Sequence, residues 1–239
     1  MAYHLGSTEI FFALIGGLLP ALLWLWFWLK EDKNPEPRRV LVLTFLAGMV
    51  MAIVALFLEQ IAQFIVKSIM GYIFPAAGTL ILLFVWATIE EIAKYAAARR
   101  IAFPLPCFDE PVDALIYLIT AALGFAALEN ILFLIKIFSD QGMIVGIITG
   151  NLRFLGATLL HVVTSATVGA SIAFSFFHRE KITRNILGGL LLATILHTSF
   201  NFFIINGRGI NFFEILIPLW LTAIILFFVF EKIKGLKKI

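Results

Sequence analysis

Four short stretches of this chain combine residue types that carry acid–base or metal chemistry. Thr88-Ile-Glu90-Glu91-Ile-Ala-Lys94 sets two carboxylates beside an amine. Gly124-Phe125-Ala-Ala-Leu-Glu129-Asn130 adds a third carboxylate next to an amide, among Ala121, Ala122, Ala126 and Ala127. His161 stands with Thr158, Thr164 and Ser165 around it, and His197-Thr-Ser-Phe-Asn201 completes the set. On a helix, residues three and four apart are neighbours, so Lys94 reaches Glu90 or Glu91. One glutamate then stays charged beside Lys94 while the other is free to take a proton, as a general base must. His197 and Asn201 share a helix face and offer two donors to a developing oxyanion. His161, His197 and one of Glu90, Glu91 or Glu129 also make the three-ligand set that catalytic zinc takes, although the chain has no His-Glu-x-x-His helix.

Each group also has a plainer reading. Glu90, Glu91 and Lys94 could form a buried ion pair that fixes packing. Glu129 and Asn130 could clamp two helices together, and His161 could be a hydrogen-bonded packing residue. Asp109, Glu110 and Asp113 sit where a helix begins, and carboxylates there complement the helix dipole.

The elements that must position these residues are membrane spans. Of 239 residues, 62% are hydrophobic and 14% are charged, and the mean hydropathy is +1.02. A soluble domain is nearer half apolar with about a quarter charged, so most of this surface must face lipid. Seven stretches are long enough for a hydrocarbon core about 30 Å thick: 8–29, 40–62, 73–98, 112–135, 150–177, 186–205 and 210–231. The fold expected is an all-α polytopic bundle, one membrane-embedded domain over 1–239. The first stretch lacks a basic leader and a cleavage site, so it reads as a retained span.

Basic residues divide the connectors. Lys30, Lys33, Arg38 and Arg39 follow span one, Lys94, Arg99 and Arg100 end span three, and Arg179, Lys181 and Arg184 follow span five. With Lys232, Lys234, Lys237 and Lys238 these make 14 of the 18 Lys and Arg, against Lys67, Lys136, Arg153 and Arg208 on the other side. The positive-inside rule then places the N-terminus outside and the C-terminus in the cytoplasm. Trp24, Trp26 and Trp28 suit an aromatic belt at the inner end of span one. At ~1.5 Å per residue, Glu90 lies about 14 Å in from Arg99, His161 about 12 Å below Arg153 and Glu129 about 24 Å above Asp113. These depths put the polar residues between the midplane and the outer leaflet. Intramembrane ionisable groups cost several kcal/mol and mark functional sites. Cys107, the single cysteine, rules out an intramolecular disulfide and a Cys-based metal cluster and lies in a Pro-rich connector. The net charge of +3 gives no sign of nucleic-acid binding.

Glu90-Glu91-Ile-Ala-Lys94, Phe108-Asp-Glu-Pro-Val-Asp113-Ala-Leu-Ile-Tyr117 and Gly124-Phe-Ala-Ala-Leu-Glu129-Asn130, followed by His161 and His197, resemble the PrsW family of membrane proteases over about residues 86–203. The resemblance implies a multi-pass endopeptidase of the cell membrane that cuts a single-span membrane protein, with an anti-sigma factor as the family's expected substrate. The four polar patches together give a candidate catalytic set of Glu90, Glu91, Lys94, Glu129, Asn130, His161, His197 and Asn201, in which Glu90 or Glu91 activates a water, Glu129 or His161 hands the proton to the leaving amine, and His197 and Asn201 bind the oxyanion. The family is similar to the type II CAAX prenyl endopeptidases. Their third motif, His-x-x-x-Asn, is intact here as His197-x-x-x-Asn201, whereas Glu129 stands in place of their second-motif histidine. Two other classes use such residues: a proton-coupled transporter or channel with the same buried Glu, Lys and His, and a non-catalytic membrane scaffold. No internal repeat of the transporter kind is visible in the sequence.

Overall fold

The structure, a computed structural model, describes residues 6–70, 75–206 and 212–236. In hydrocarbon the backbone must satisfy its own hydrogen bonds, which leaves the helix as the form these apolar runs take. The described residues form α1 (Ser7–Lys30), α2 (Arg38–Met70), α3 (Pro75–Ile101), α4 (Asp113–Gln141), α5 (Met143–Arg153), a π turn (Phe154–Thr158), α6 (Leu159–Ala173), a 3-10 turn (Arg179–Lys181), α7 (Ile182–Asn206) and α8 (Phe212–Ile233). Arg208, Lys237 and Lys238 lie outside the described residues. The Pro-bearing segments 31–37 and 102–112 interrupt the helices as the sequence suggests.

Helices α5 and α6 run on through the π turn as one rod, so the chain makes seven rods among its described residues. Six of them are long and apolar enough to cross a bilayer. The exception is α3, which carries Glu90, Glu91, Lys94, Arg99 and Arg100. It packs along α2, α4, α6 and α7, and Glu91 and Lys94 are buried there. Several rods outrun the predicted apolar stretches, because a helix continues past the hydrocarbon while its residues still favour it. The fifth rod starts at Met143 rather than near 150. It begins directly after Gly142, whose φ of 83° gives the reversal from α4 a conformation that glycine adopts without strain. The longest helix, α2, has 33 residues, about 50 Å at the helical rise.

Helix α4 is the central element and touches α1, α2, α3, α5 and α6. Its residues from Asp113 to Ala127 are all buried. Lipid is as apolar as a leucine side chain, so helices associate by close packing instead of by the hydrophobic effect. The small residues of α4 allow that. A Cβ on Gly124 would land on the carbonyl oxygen of Phe45, and one on Gly48 would land on that of Ala121. The backbones of α2 and α4 therefore touch at these glycines.

The connectors rich in basic residues gather at one end of the bundle. Lys234 Nζ donates to Glu31 Oε2 at 3.0 Å, Asn34 Nδ2 donates to Glu110 Oε1, and the rings of Phe108 and Phe176 lie 5.4 Å apart. The aromatic belt is corrected in part. Trp26 is exposed beneath Lys30, but Trp28 is buried against Phe230 and Trp24 packs on Trp220. One face of α1 is used for packing against α8, which buries Trp28 and half-buries Trp24.

Candidate active site

Five elements converge on one polar cluster. Helix α3 supplies Glu90, Glu91 and Lys94 within a single turn, and α4 supplies Glu129 and Asn130 from the turn that follows its small-residue stretch. Helix α6 supplies His161 and Thr164, α7 supplies His197, and the end of α5 with the π turn supplies Arg153 and Thr158.

Lys94 is fully buried and its three N–H groups each have a partner. Nζ lies 2.5 Å from Glu91 Oε1, 3.2 Å from His161 Nδ1 and 3.5 Å from Thr164 Oγ1. Its pairing is thus with Glu91, three residues away, and not with Glu90. Ion pairs this deep require such full hydrogen bonding, because the desolvation of each charge is large.

Each histidine is held by a carboxylate on one nitrogen. His161 Nε2 is 2.8 Å from Glu129 Oε2, and His197 Nδ1 is 2.7 Å from Glu91 Oε1. A carboxylate accepts, so the proton of each neutral ring sits on that nitrogen and the other nitrogen carries the lone pair. Those other nitrogens, His161 Nδ1 and His197 Nε2, both face Glu90 Oε2 at 3.8 Å. Glu90 Oε2 is buried without a hydrogen-bond partner. The two rings meet edge to face, 5.5 Å between centroids. One ligand atom from each of Glu90, His161 and His197 falls within 4.8 Å of the others, a spacing suited to a shared metal ion.

A second branch lies behind Glu129. Arg153 Nη2 donates to Glu129 Oε1 at 2.8 Å, Arg153 Nε donates to Asn130 Oδ1 at 2.6 Å, and Asn130 Nδ2 donates to Thr158 Oγ1 at 3.0 Å. Glu129 and Arg153 retain 28% and 17% side-chain exposure, against 3% for each histidine, so the cluster opens on their side. Glu59 of α2 stands near enough for its charge to act on Glu129 and Glu90.

Seven of the residues singled out by sequence thus meet: Glu90, Glu91, Lys94, Glu129, Asn130, His161 and His197. Asn201, one turn beyond His197, is half-buried and makes no hydrogen bond to the cluster among the described residues. With one nitrogen given to Glu91, His197 is a donor toward an oxyanion only as the imidazolium. Sequence reasoning missed Arg153, taken as a connector residue on the sparsely charged side, and Glu59. Their signal was slight: each is an ionisable residue within a few turns of a long apolar run.

Cys107 lies elsewhere, in a second polar network at the basic end. Its Sγ is 3.2 Å from Tyr117 Oη, and Tyr117 Oη in turn donates to Glu36 Oε2. Asp113 does not cap α4 forward. Its Oδ2 accepts the backbone N–H groups of Asp109 and Glu110 at 2.8 and 2.7 Å, which folds the α3–α4 connector back on the helix start.

Comparison with known proteins gives the cluster a context. Residues 36–230 match a family model described as PrsW family intramembrane metalloprotease. The chain is 26% identical over 219 residues to Protease PrsW of Geobacillus kaustophilus, which covers 89% of this chain and 90% of the relative. It is 28% identical over 217 residues to Protease PrsW of Oceanobacillus iheyensis, with 88% and 92% coverage. Against Protease PrsW of Bacillus subtilis it is 26% identical over 195 residues, with 80% and 82% coverage. No solved structure matches the chain. A family match across most of the length, on a bundle of apolar helices, leads to one conclusion: this multi-pass membrane protein belongs to the PrsW family of membrane proteases.

Proposed function

We propose that the chain is a membrane-embedded endopeptidase whose chemistry centres on Glu90, His161 and His197. The observation that carries this reading is the buried, unpartnered Oε2 of Glu90, faced at 3.8 Å by the lone-pair nitrogens of two histidines. A gap of that length is too long for a direct hydrogen bond and suits a third body held by all three groups.

A metal ion of the zinc type fits the residues present, since the donor set is one carboxylate and two imidazoles and Glu90 Oε2 has no other partner. Glu90, His161 and His197 would hold it, with Lys94 releasing Nδ1 of His161. When bound, such an ion supplies Lewis acidity toward a water and a carbonyl. Glu129 and Glu91 back the two histidines as carboxylates back metal-binding imidazoles, fixing tautomer and ring orientation. Without an ion, the same three residues hold a water.

In the ion-free arrangement Glu90 accepts a proton from the attacking water and passes it to the leaving amine. The other residues of the chain keep the same roles in either arrangement. Lys94 keeps Glu91 charged and so keeps His197 oriented. Asn201, one turn on from His197, donates to the oxyanion. The substrate is a single-span membrane protein, with an anti-sigma factor as the family's expectation. The basic end faces the cytoplasm, α3 completes seven spans, and the cut falls in the outer half of the bilayer.

The test is cleavage of a single-span reporter by purified protein. Glu90→Gln is expected to lower the rate by about 100- to 10,000-fold with folding unchanged. Cleavage at the wild-type rate by both Glu90→Gln and Glu91→Gln would end the proposal. Zinc analysis of active protein, with chelator treatment and metal restoration, separates the ion-bound from the ion-free arrangement.

A further inference from the structure

We infer that Arg153 is a positioning residue for catalysis, which acts through Glu129 on His161, and that the π turn after it is what brings it there. This rests on the active-site reading above.

The register argument is geometric. Arg153 and His161 are eight residues apart on one rod. In an unbroken α-helix, eight steps of 100° would leave them about 80° apart around the axis, so one of them would point away from α4. A π turn accommodates one extra residue per turn, which leaves about seven effective steps and brings the two to within about 20°. The turn at Phe154–Thr158 lies between them. Both side chains then reach the same α4 carboxylate from one face: Arg153 Nη2 holds Glu129 Oε1 at 2.8 Å and His161 Nε2 holds Glu129 Oε2 at 2.8 Å.

The guanidinium is itself fixed. Its Nε is bonded to Asn130 Oδ1, its carbon lies 4.2 Å from the centroid of the Phe133 ring, and Asn130 is anchored on Thr158 within the π turn. Glu129 is the most exposed carboxylate of the cluster. Without Arg153 it would be free to swing toward the opening, and His161 would lose the partner that sets its proton on Nε2 and aims Nδ1 at Glu90. Lys94 cannot take over, because it lies on the Nδ1 side of the His161 ring, beside Glu91 and Thr164, whereas Glu129 holds Nε2 on the other side.

The experiment is reporter cleavage with kcat and KM resolved, by wild type, Arg153→Ala, Arg153→Lys, Glu129→Gln, the Arg153→Ala/Glu129→Gln double variant and Glu90→Gln. Arg153→Ala is expected to lower kcat by about 10- to 100-fold, the range for partners of this kind, with KM changed less than about twofold. Arg153→Lys, or added guanidinium with Arg153→Ala, is expected to recover part of the loss. In the Glu129→Gln background, removing Arg153 is expected to cost less than about twofold more, since both act along one path. Wild-type kcat for Arg153→Ala, a loss carried by KM, or independent multiplicative effects of the two variants would each overturn the inference. Should Arg153→Ala fail to fold, Arg153→Gln decides: a lowered kcat at unchanged KM supports the inference, and wild-type kcat overturns it. Glu90→Gln separates the two levels. If it is inactive while Arg153→Ala is not impaired, only the role of Arg153 falls; if it remains active, the active-site reading falls.

Discussion

The bundle holds two buried polar networks that solve the same electrostatic problem in opposite ways. In the active-site cluster each of Glu91 and Glu129 is matched by a cation, Lys94 or Arg153, and by a histidine. At the basic end Asp32, Glu36 and Asp113 are buried, and among the described residues no cation hydrogen-bonds to them. Their partners are a tyrosine hydroxyl, backbone N–H groups and, between Glu36 and Asp113, one another. The first network is balanced by fixed charge and can hold ionised groups oriented for chemistry. The second has no such cation, and burial shifts its carboxyls toward their neutral forms. Burial pushes the Glu36 carboxyl above its ordinary 4.5, outweighing the hydrogen bonds from Tyr117 and Asp113, and nearby Asp32 adds to the rise. Burial likewise raises Asp32 above 3.8.

The difference can be broken at its strongest point. Lys94→Met leaves Glu91 buried without its cation and is expected to destabilise the fold by about 3–5 kcal/mol. Adding Glu91→Gln should recover part of that loss. Denaturant unfolding in detergent measures both, and a neutral Lys94→Met would show that the cluster is not charge-balanced as described. At the other end, Tyr117→Phe removes a neutral donor and leaves an acceptor wanting, an effect of about 1–3 kcal/mol. An equal or larger loss than that of Lys94→Met would erase the contrast.

The smallest effect sharpens the comparison by its sign. A group raised in the folded state gives stability that is fully present below its unfolded value and lost as pH rises through the folded value. Glu36 therefore stabilises the basic end most at pH below 4.5, and this contribution declines as the pH climbs through its raised value. Melting temperature followed against pH should fall over that interval in the wild type. Glu36→Gln should flatten the dependence while changing stability little at low pH. An unaltered slope in the variant would assign the effect to another group.

What the sequence made legible follows from distance along the chain. Glu91 and Lys94 could be paired in advance, because a separation of three on a helix leaves little freedom. Glu129 and the two histidines could be picked out as costly residues in apolar runs, although which carboxylate holds which ring depends on the packing of α3, α4, α6 and α7. Arg153 was hidden for a specific reason. Helical periodicity assigns it the wrong face, and only the π turn corrects the phase. The link between Glu36 and Tyr117 spans 81 residues and joins two polar side chains with no local pattern between them. The aromatic belt failed at Trp28 because composition cannot tell a lipid-facing ring from one buried against another helix. The all-helical fold, in contrast, was legible from apolar length alone.

The charge balance of the active-site cluster also has an order in time. During synthesis Glu91 leaves the ribosome with Lys94 three residues behind it, so that pair can form as soon as its helix does. Glu129 precedes Arg153 by 24 residues, with the turn at Gly142 between them. Its counter-charge is not available until the following rod has been made. Helices α4 and α5 would therefore gain by entering the membrane together as a hairpin, and His197 stands on a helix synthesised later still.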